Sequence, residues 1–113
     1  MQTNKKKFKF HSDPGHSWLA VKIADIEAVG LTVSDFTHYS YVNGLTAYLE
    51  EDVDTHTFLD AYVKTFGKEP VLIDRINRHR SSKIRSYVSI ARLPGYYPRA
   101  VAWVLPGGDA VTQ

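Results

Sequence analysis

The feature that most constrains the fold is an Asn-Gly pair between two stretches of alternating apolar and polar residues. Residues 37–42 precede Asn43-Gly44, and residues 45–50 follow it. Asn and Gly both accept positive φ, which a two-residue turn between antiparallel strands needs. The sequence therefore predicts a tight β-hairpin whose central turn is Asn43-Gly44.

A second hairpin is predicted near the start of the chain. Residues 7–11 alternate large apolar with polar side chains, and residues 17–22 read as a returning strand after Asp13-Pro14-Gly15. Proline presets φ at the second position of a turn, and Gly15 is expected to supply positive φ at the third. Two such hairpins predict a sheet that is mostly antiparallel.

Two segments have the periodicity of helices. The first covers residues 23–29 and ends at Gly30, and the second covers residues 55–66 and ends at Gly67. A glycine in this position can adopt the left-handed conformation that ends a helix. Asp54 is expected to cap the second helix.

The remaining strands are predicted after the second helix, at residues 71–74 and 84–90, with a basic loop at residues 77–82. The order is then ββαββαββ. The predicted fold class is α+β, a mostly antiparallel, hairpin-built sheet with two helices packed on one face. We predict a single domain over residues 1–92 and a Pro/Gly-rich C-terminal extension over residues 93–113, which is an extra strand or an arm.

Composition excludes several classes of protein. The chain has 113 residues, of which 43% are hydrophobic, so it can bury a core. It has no cysteine, which excludes disulfides, cysteine-ligated zinc and a thiol nucleophile. No apolar run approaches the roughly 20 residues of a membrane span, and no apolar stretch of a signal peptide follows the basic start. We therefore expect a cytoplasmic protein without a membrane partner.

Charge is distributed unevenly along the chain, although the formal net charge is only +2. Lysines cluster at residues 5–9, and acids cluster at residues 50–54. Residues 75–85 contain five Lys or Arg residues and no Asp or Glu. Arginine suits phosphate and carboxylate groups, and tyrosine and arginine are enriched at interface hot spots. The predicted binding surface consists of Arg75, Arg78, Arg80, Lys83, Arg85, Tyr39, Tyr41 and Tyr87.

The first predicted turn contains the residues that best fit a reactive site. His11, Asp13 and His16 are of types that ligate zinc, manganese or iron, and Glu50 or Glu51 could then act as a base. An ordinary turn explains the same three residues, and helix capping explains the acids. The chain has no Gly-x-Ser-x-Gly elbow and no P-loop. We therefore predict no catalytic residue, metal ion or cofactor.

A longer motif suggests an origin for the chain. Residues 7–16, KFKFHSDPGH, followed by WLAV at residues 18–21, resemble a family of small uncharacterised proteins of tailed phages, prophages and plasmids. Shorter matches extend the resemblance in the same order: YSY at 39–41, YLEED at 48–52 and IRSY at 84–87. The resemblance implies a mobile-element protein in the cytoplasm of a host cell, and it implies no activity.

Small phage accessory proteins often bind and block a host machine. The leading expectation is a non-enzymatic accessory protein that binds a host protein or nucleoprotein complex, such as an inhibitor of a host defence of the anti-CRISPR kind. One alternative is a small metal-dependent enzyme acting on a nucleotide or nucleic acid. Another is a single-stranded nucleic-acid-binding protein, because a cationic loop beside aromatic side chains suits stacking and charge. The oligomeric state is left open.

Overall fold

The computed structural model describes residues 6–78 and 81–96. The strands and helices of this part of the chain are, in order, β1 (Lys7–Ser12), β2 (Ser17–Lys22), α1 (Ile23–Ala28), β3 (Tyr41–Asn43), β4 (Thr46–Glu50), α2 (Asp54–Phe66), β5 (Val71–Ile76) and β6 (Val88–Ser89). Short 3-10 helices lie at Val33–Asp35, Lys83–Ser86 and Ile90–Arg92. The architecture confirms the predicted α+β class.

The described strands form one six-stranded sheet in the order β5-β1-β2-β4-β3-β6. Neighbours are antiparallel except β1 and β5, which are parallel. The parallel pair follows from the path of the chain, which leaves β4 inside the sheet, passes through α2 and returns in β5 beside β1. This path places Arg75 of β5 next to His11 of β1.

The main core lies between the two helices and one face of the sheet. The Phe8 ring of β1 meets the Phe58 ring of α2 edge to face, with 5.3 Å between the ring centroids. Ile26 of α1 belongs to the same cluster. The sheet contributes its alternate buried residues, which include Leu19, Val21, Val42, Ala47 and Leu49. Because side chains alternate along a strand, the intervening residues lie on the opposite face, which we call the open face.

The predicted ends of both helices are confirmed. Gly30 has φ 84° and Gly67 has φ 78°. After α1, the Leu31 N–H donates to the Ile26 carbonyl at 3.1 Å and the Gly30 N–H donates to the Glu27 carbonyl at 2.9 Å. Both bonds satisfy carbonyl groups that have no partner within the helix.

The predicted cap of α2 is wrong. Asp54 is the first residue of the helix, and its own side chain does not cap it. Instead the Glu50 carboxylate, at the end of β4, accepts hydrogen bonds from the backbone N–H groups of Asp52, Val53 and Asp54 at 2.7–3.0 Å. This contact fixes the turn between β4 and α2 and leaves Asp54 available for another contact.

Both predicted turns differ from the structure in their details. Among the described residues, Gly15 is not one of those with positive φ. In the other hairpin β3 ends at Asn43, so the central turn residues are Gly44 and Leu45, and only Gly44 has positive φ, 65°. A glycine at the first central position of a two-residue turn is sufficient for a hairpin of this kind.

The strand predicted over residues 84–90 is also wrong, because 3-10 helices replace most of it and only Val88–Ser89 is extended. The Ser82 hydroxyl accepts from the Ile84 N–H and the Ser89 hydroxyl accepts from the Ala91 N–H, which stabilises both short helices locally. Leu93 and Tyr96, placed above in the C-terminal extension, pack against the main core. Residues 97–113 of that extension lie outside the described residues.

Candidate binding surface

The open face carries charged and aromatic side chains in place of a helix. Paired residues of neighbouring strands lie on the same face, so the register shows which side chains share it. They include Lys7, Lys9 and His11 of β1, Trp18, Ala20 and Lys22 of β2, Tyr41 of β3, Tyr48 and Glu50 of β4, and Arg75 of β5, together with the apolar Val71 and Ile73 of β5.

One segment after β5, residues 82–87, crosses this face, and we call it the crossing segment. The Arg85 guanidinium lies 5.5 Å from the centre of the Trp18 ring. The Tyr87 ring lies 5.2 Å from the Tyr48 ring, centroid to centroid. Ile84 and Trp18 are each 3% exposed, and neither belongs to the main core. The crossing segment thus buries part of the open face and leaves clefts on both sides.

Asp13 fixes the crossing segment to the first hairpin turn. The Asp13 carboxylate accepts from Arg85 Nε at 2.7 Å, from Arg85 Nη2 at 2.9 Å and from the Ser82 N–H at 2.8 Å. It also accepts from the N–H groups of Gly15 and His16, each at 2.9 Å. The hydrogen bonds from Arg85, aided by those from the backbone, hold the pKa of Asp13 far below its ordinary value.

These contacts weaken the metal-site alternative for the first turn. The Asp13 side chain is fully buried, and both of its oxygens accept hydrogen bonds from protein donors. His16 is exposed at the turn, whereas His11 lies at the end of β1 against Tyr48. Across residues 6–78 and 81–96, no group of three or more His, Asp or Glu side chains could hold a metal ion.

A second buried carboxylate shapes the other end of the open face. Asp54 is fully buried and accepts from the N–H and hydroxyl groups of Thr37 and from the Ser40 hydroxyl. Ser40 in turn accepts from the Glu50 N–H at 2.9 Å. Burial raises the pKa of Asp54, although the hydrogen bonds from Ser40 and Thr37 oppose this change. The network fixes residues 37–40, and Tyr39 with them, against the start of α2.

Two basic clefts lie on the side of the open face near β1. The first, of about 490 Å³, has Lys7, Lys9 and Lys22 around Ala20 and Tyr48. The second, of about 540 Å³, lies between β5 and the crossing segment. It is lined by His11, Ser12, Arg75, Ile76, Asn77, Ser81, Ser82 and Lys83. His11 lines both clefts, so they adjoin at its side chain.

The pKa of His11 is sensitive to the positive charge of these clefts as well as to burial. Burial lowers the pKa of His11 from its ordinary value of 6.5, and the neighbouring charges of Lys9 and Arg75 lower it further. Among the described lining residues, the first cleft has one acid, Asp25, whose carboxylate pairs with Lys6 at 3.4 Å, and the second cleft has none. The local excess of positive charge is therefore not balanced within the clefts.

A third cleft, of about 340 Å³, lies on the other side of the crossing segment, and we call it the aromatic cleft. Its lining consists of His16, Trp18, Thr37, Tyr39, Tyr41, Glu50, Asp52, Val53 and Arg85. It therefore combines three aromatic side chains with two carboxylates, in contrast to the basic clefts.

The described residues among those predicted to bind a partner do not share one cleft. Arg75 and Lys83 line the second basic cleft, while Tyr39 and Tyr41 line the aromatic cleft. Arg85 pairs with Asp13, and Tyr87 packs on Tyr48. Arg78 is exposed but is not among the residues that line these clefts. Arg80 lies outside the described residues.

Sequence reasoning missed Lys7, Lys9, Lys22 and His11 as part of the surface. Alternation along β1 places Lys7, Lys9 and His11 on one face, a signal that the sequence contains. Their approach to Lys22 and Arg75 depends on the pairing of β1 with β2 and β5, which only the structure gives.

Comparison of the chain with models of protein families, with curated proteins and with solved structures gives no match. The resemblance to phage and plasmid proteins therefore stays a prediction based on the motif. No helix within the described ranges has the length and apolar character needed to span a membrane.

Proposed function

We propose that this protein binds single-stranded nucleic acid on the basic side of its open face. The observation that supports this most directly is that Lys7, Lys9, Lys22, Arg75 and Lys83 line two clefts that share His11. Folding does not need this arrangement, because like charges on neighbouring strands repel one another. A polyanion would offset that repulsion.

The shape of the surface favours a single strand over a duplex. Duplex readers commonly insert a helix or a two-stranded ribbon into a groove, whereas both described helices lie on the opposite face of this sheet. A strand without a complement exposes its bases for stacking on aromatic side chains. Tyr48 lines the first basic cleft and is half-buried beside Tyr87. The Tyr48 ring therefore lies next to the lysines of this cleft.

The wider role that fits this proposal is that of a mobile-element accessory protein. Such a protein would act on a nucleic acid or a nucleoprotein complex of the host, including a defence complex of the CRISPR kind. The motif at residues 7–21 supports the mobile-element origin, and the basic clefts support contact with the nucleic-acid component. Binding is favoured over catalysis because the buried carboxylates of Asp13 and Asp54 are held by internal hydrogen bonds.

The proposal is tested by the salt dependence of binding to a fluorescent single-stranded oligonucleotide of mixed sequence. With four phosphate contacts, affinity should fall about 50-fold between about 50 and 200 mM salt. The triple variant Lys9→Gln, Lys22→Gln, Arg75→Gln should bind more weakly and should reduce the slope of log affinity against log salt by about 2.

The matched control is the triple variant Lys64→Gln, Lys68→Gln, Arg92→Gln. It removes the same formal charge from positions that are not among the lining residues of the three clefts. If both triple variants lose the same affinity, binding depends only on net charge, and the proposed surface is refuted. Tighter binding to a duplex of the same length would refute the preference for a single strand.

A further inference from the structure

We propose that the aromatic cleft binds an arginine side chain of a protein partner. This inference concerns a different surface from the nucleic-acid proposal and does not depend on it. It starts from two of the side chains that line the cleft. Tyr39 is 63% exposed, and the Asp52 carboxylate has no hydrogen bond or ion pair within the described residues.

The charge of the cleft favours a cation. Apart from His16, Arg85 is the one basic residue among the described residues that line the cleft. Its guanidinium forms two hydrogen bonds with the Asp13 carboxylate. That pair is neutral overall, so the carboxylates of Glu50 and Asp52 leave the cleft with an excess of negative charge. Glu50 already accepts three backbone N–H groups, so Asp52 is the carboxylate left to meet a ligand.

The aromatic side chains favour a flat cation over a compact one. A guanidinium stacks on aromatic faces and also donates in a planar fork to a carboxylate, whereas an ammonium does not stack in this way. The cleft shows this preference within the protein, because Arg85 lies over the Trp18 ring while bonding Asp13. Tyr39 and Tyr41 with Asp52 offer the same combination of ring and carboxylate to a second guanidinium.

The walls of the cleft are fixed in place before any ligand binds. Asp54 holds residues 37–40 through Thr37 and Ser40. Glu50 holds residues 52–54 through their N–H groups. A preformed site loses less conformational entropy on binding, which favours specific recognition of a single side chain.

The test is an amide NMR titration of the full chain with the blocked amino acid N-acetyl-arginine amide. Saturable shifts are expected at Thr37, Tyr39 and Asp52, with an affinity in the millimolar range, as for a single side chain. N-acetyl-citrulline amide has the same shape without the charge and should bind at least fivefold more weakly. Equal binding of the two probes would overturn the proposal.

Two variants separate the site from a general effect of charge. Asp52→Asn should weaken the arginine probe at least fivefold while leaving the fold unchanged, and Asp60→Asn on the exposed surface of α2 should leave it unchanged. An equal response of both variants would overturn the proposal. So would a titration in which guanosine binds the cleft more tightly than the arginine probe, because that result would assign the cleft to a nucleobase.

Discussion

Asp13 and Arg85 lie 72 residues apart in sequence and form a two-bond ion pair, with the nitrogens of Arg85 2.7 and 2.9 Å from the carboxylate oxygens. The Asp13 side chain is fully buried, whereas Arg85 is 35% exposed. The pair joins the turn of the first hairpin to the crossing segment and separates the basic clefts from the aromatic cleft. The HSDPGH motif therefore has a structural role at its centre.

Replacing Asp13 with Asn is expected to destabilise the protein more at pH 7 than at pH 2. The native pKa lies below the unfolded value of about 3.8, so the ionised group stabilises the fold above that pH and this stabilisation is lost as the pH falls. At pH 7 the melting temperature should drop by roughly 10 °C. Asp60→Asn is the surface control. A difference between Asp13→Asn and the native chain that stays constant with pH would contradict the ionic origin of this stability.

Replacing Gly15 with Ala tests the close approach of Arg85 to the turn. A Cβ atom at Gly15 would lie 2.9 Å from Arg85 Nη2, and the φ of Gly15 is not positive. The loss of stability should therefore come from displacing Arg85 and should nearly disappear when Arg85→Ala is already present. A thermal double-mutant cycle measures this coupling. Gly67→Ala is the contrast, because an alanine at a φ of 78° should cost about 1 kcal/mol whether or not Arg85 is present.

The sequence predicts local features better than contacts between distant residues. Gly30 and Gly67 end their helices as expected, because a left-handed cap depends on the residues next to it. Gly15 was assigned to positive φ from its place in the turn, but its small size serves the approach of Arg85. That contact depends on how the crossing segment returns across the sheet, and no local pattern encodes such a path.

The same distinction applies to the candidate site. Arg75 and Lys83 were predicted from a run of cations and do lie in one cleft. Arg85 belongs to the same run, yet it is paired with a buried acid, because charge pairing depends on tertiary contacts. The sequence does not predict that Lys9 and Lys22 line the same cleft, because they come together only through the register of β1 with β2.

The two buried carboxylates should respond to pH in opposite ways. Burial raises the native pKa of Asp54 above its ordinary value of 3.8, so ionisation costs stability as the pH rises through this range. Asp54→Asn is uncharged at every pH, so its stability deficit should shrink as the pH rises above 3.8, whereas that of Asp13→Asn should grow between about pH 2 and 5 and then stay constant. Urea unfolding at several pH values measures both trends, and deficits that change in parallel would contradict the opposite pKa directions.

Removing the Asp54 side chain tests the network that fixes Tyr39. Asp54→Ala leaves the Thr37 N–H and the buried Ser40 hydroxyl without their acceptor, which should cost about 2 kcal/mol. Amide hydrogen exchange at Thr37 should become faster by more than the change at Val63 in α2. Equal acceleration at both amides would indicate global destabilisation and would contradict a local role in shaping the aromatic cleft.

Binding of a nucleic-acid strand should depend on the protonation of His11. Burial and the charges of Lys9 and Arg75 lower the pKa of His11 in the free protein, so the imidazole is largely neutral at pH 7. Phosphate groups in the basic clefts would offset those charges and raise this pKa, so binding would take up a proton. Affinity should therefore increase as the pH falls from 7 to about 5.5 at constant ionic strength. The variant His11→Gln should lose most of this pH dependence and His56→Gln on α2 should retain it, as measured by fluorescence anisotropy. An unchanged pH dependence in His11→Gln would show that the strand binds away from the junction of the two basic clefts.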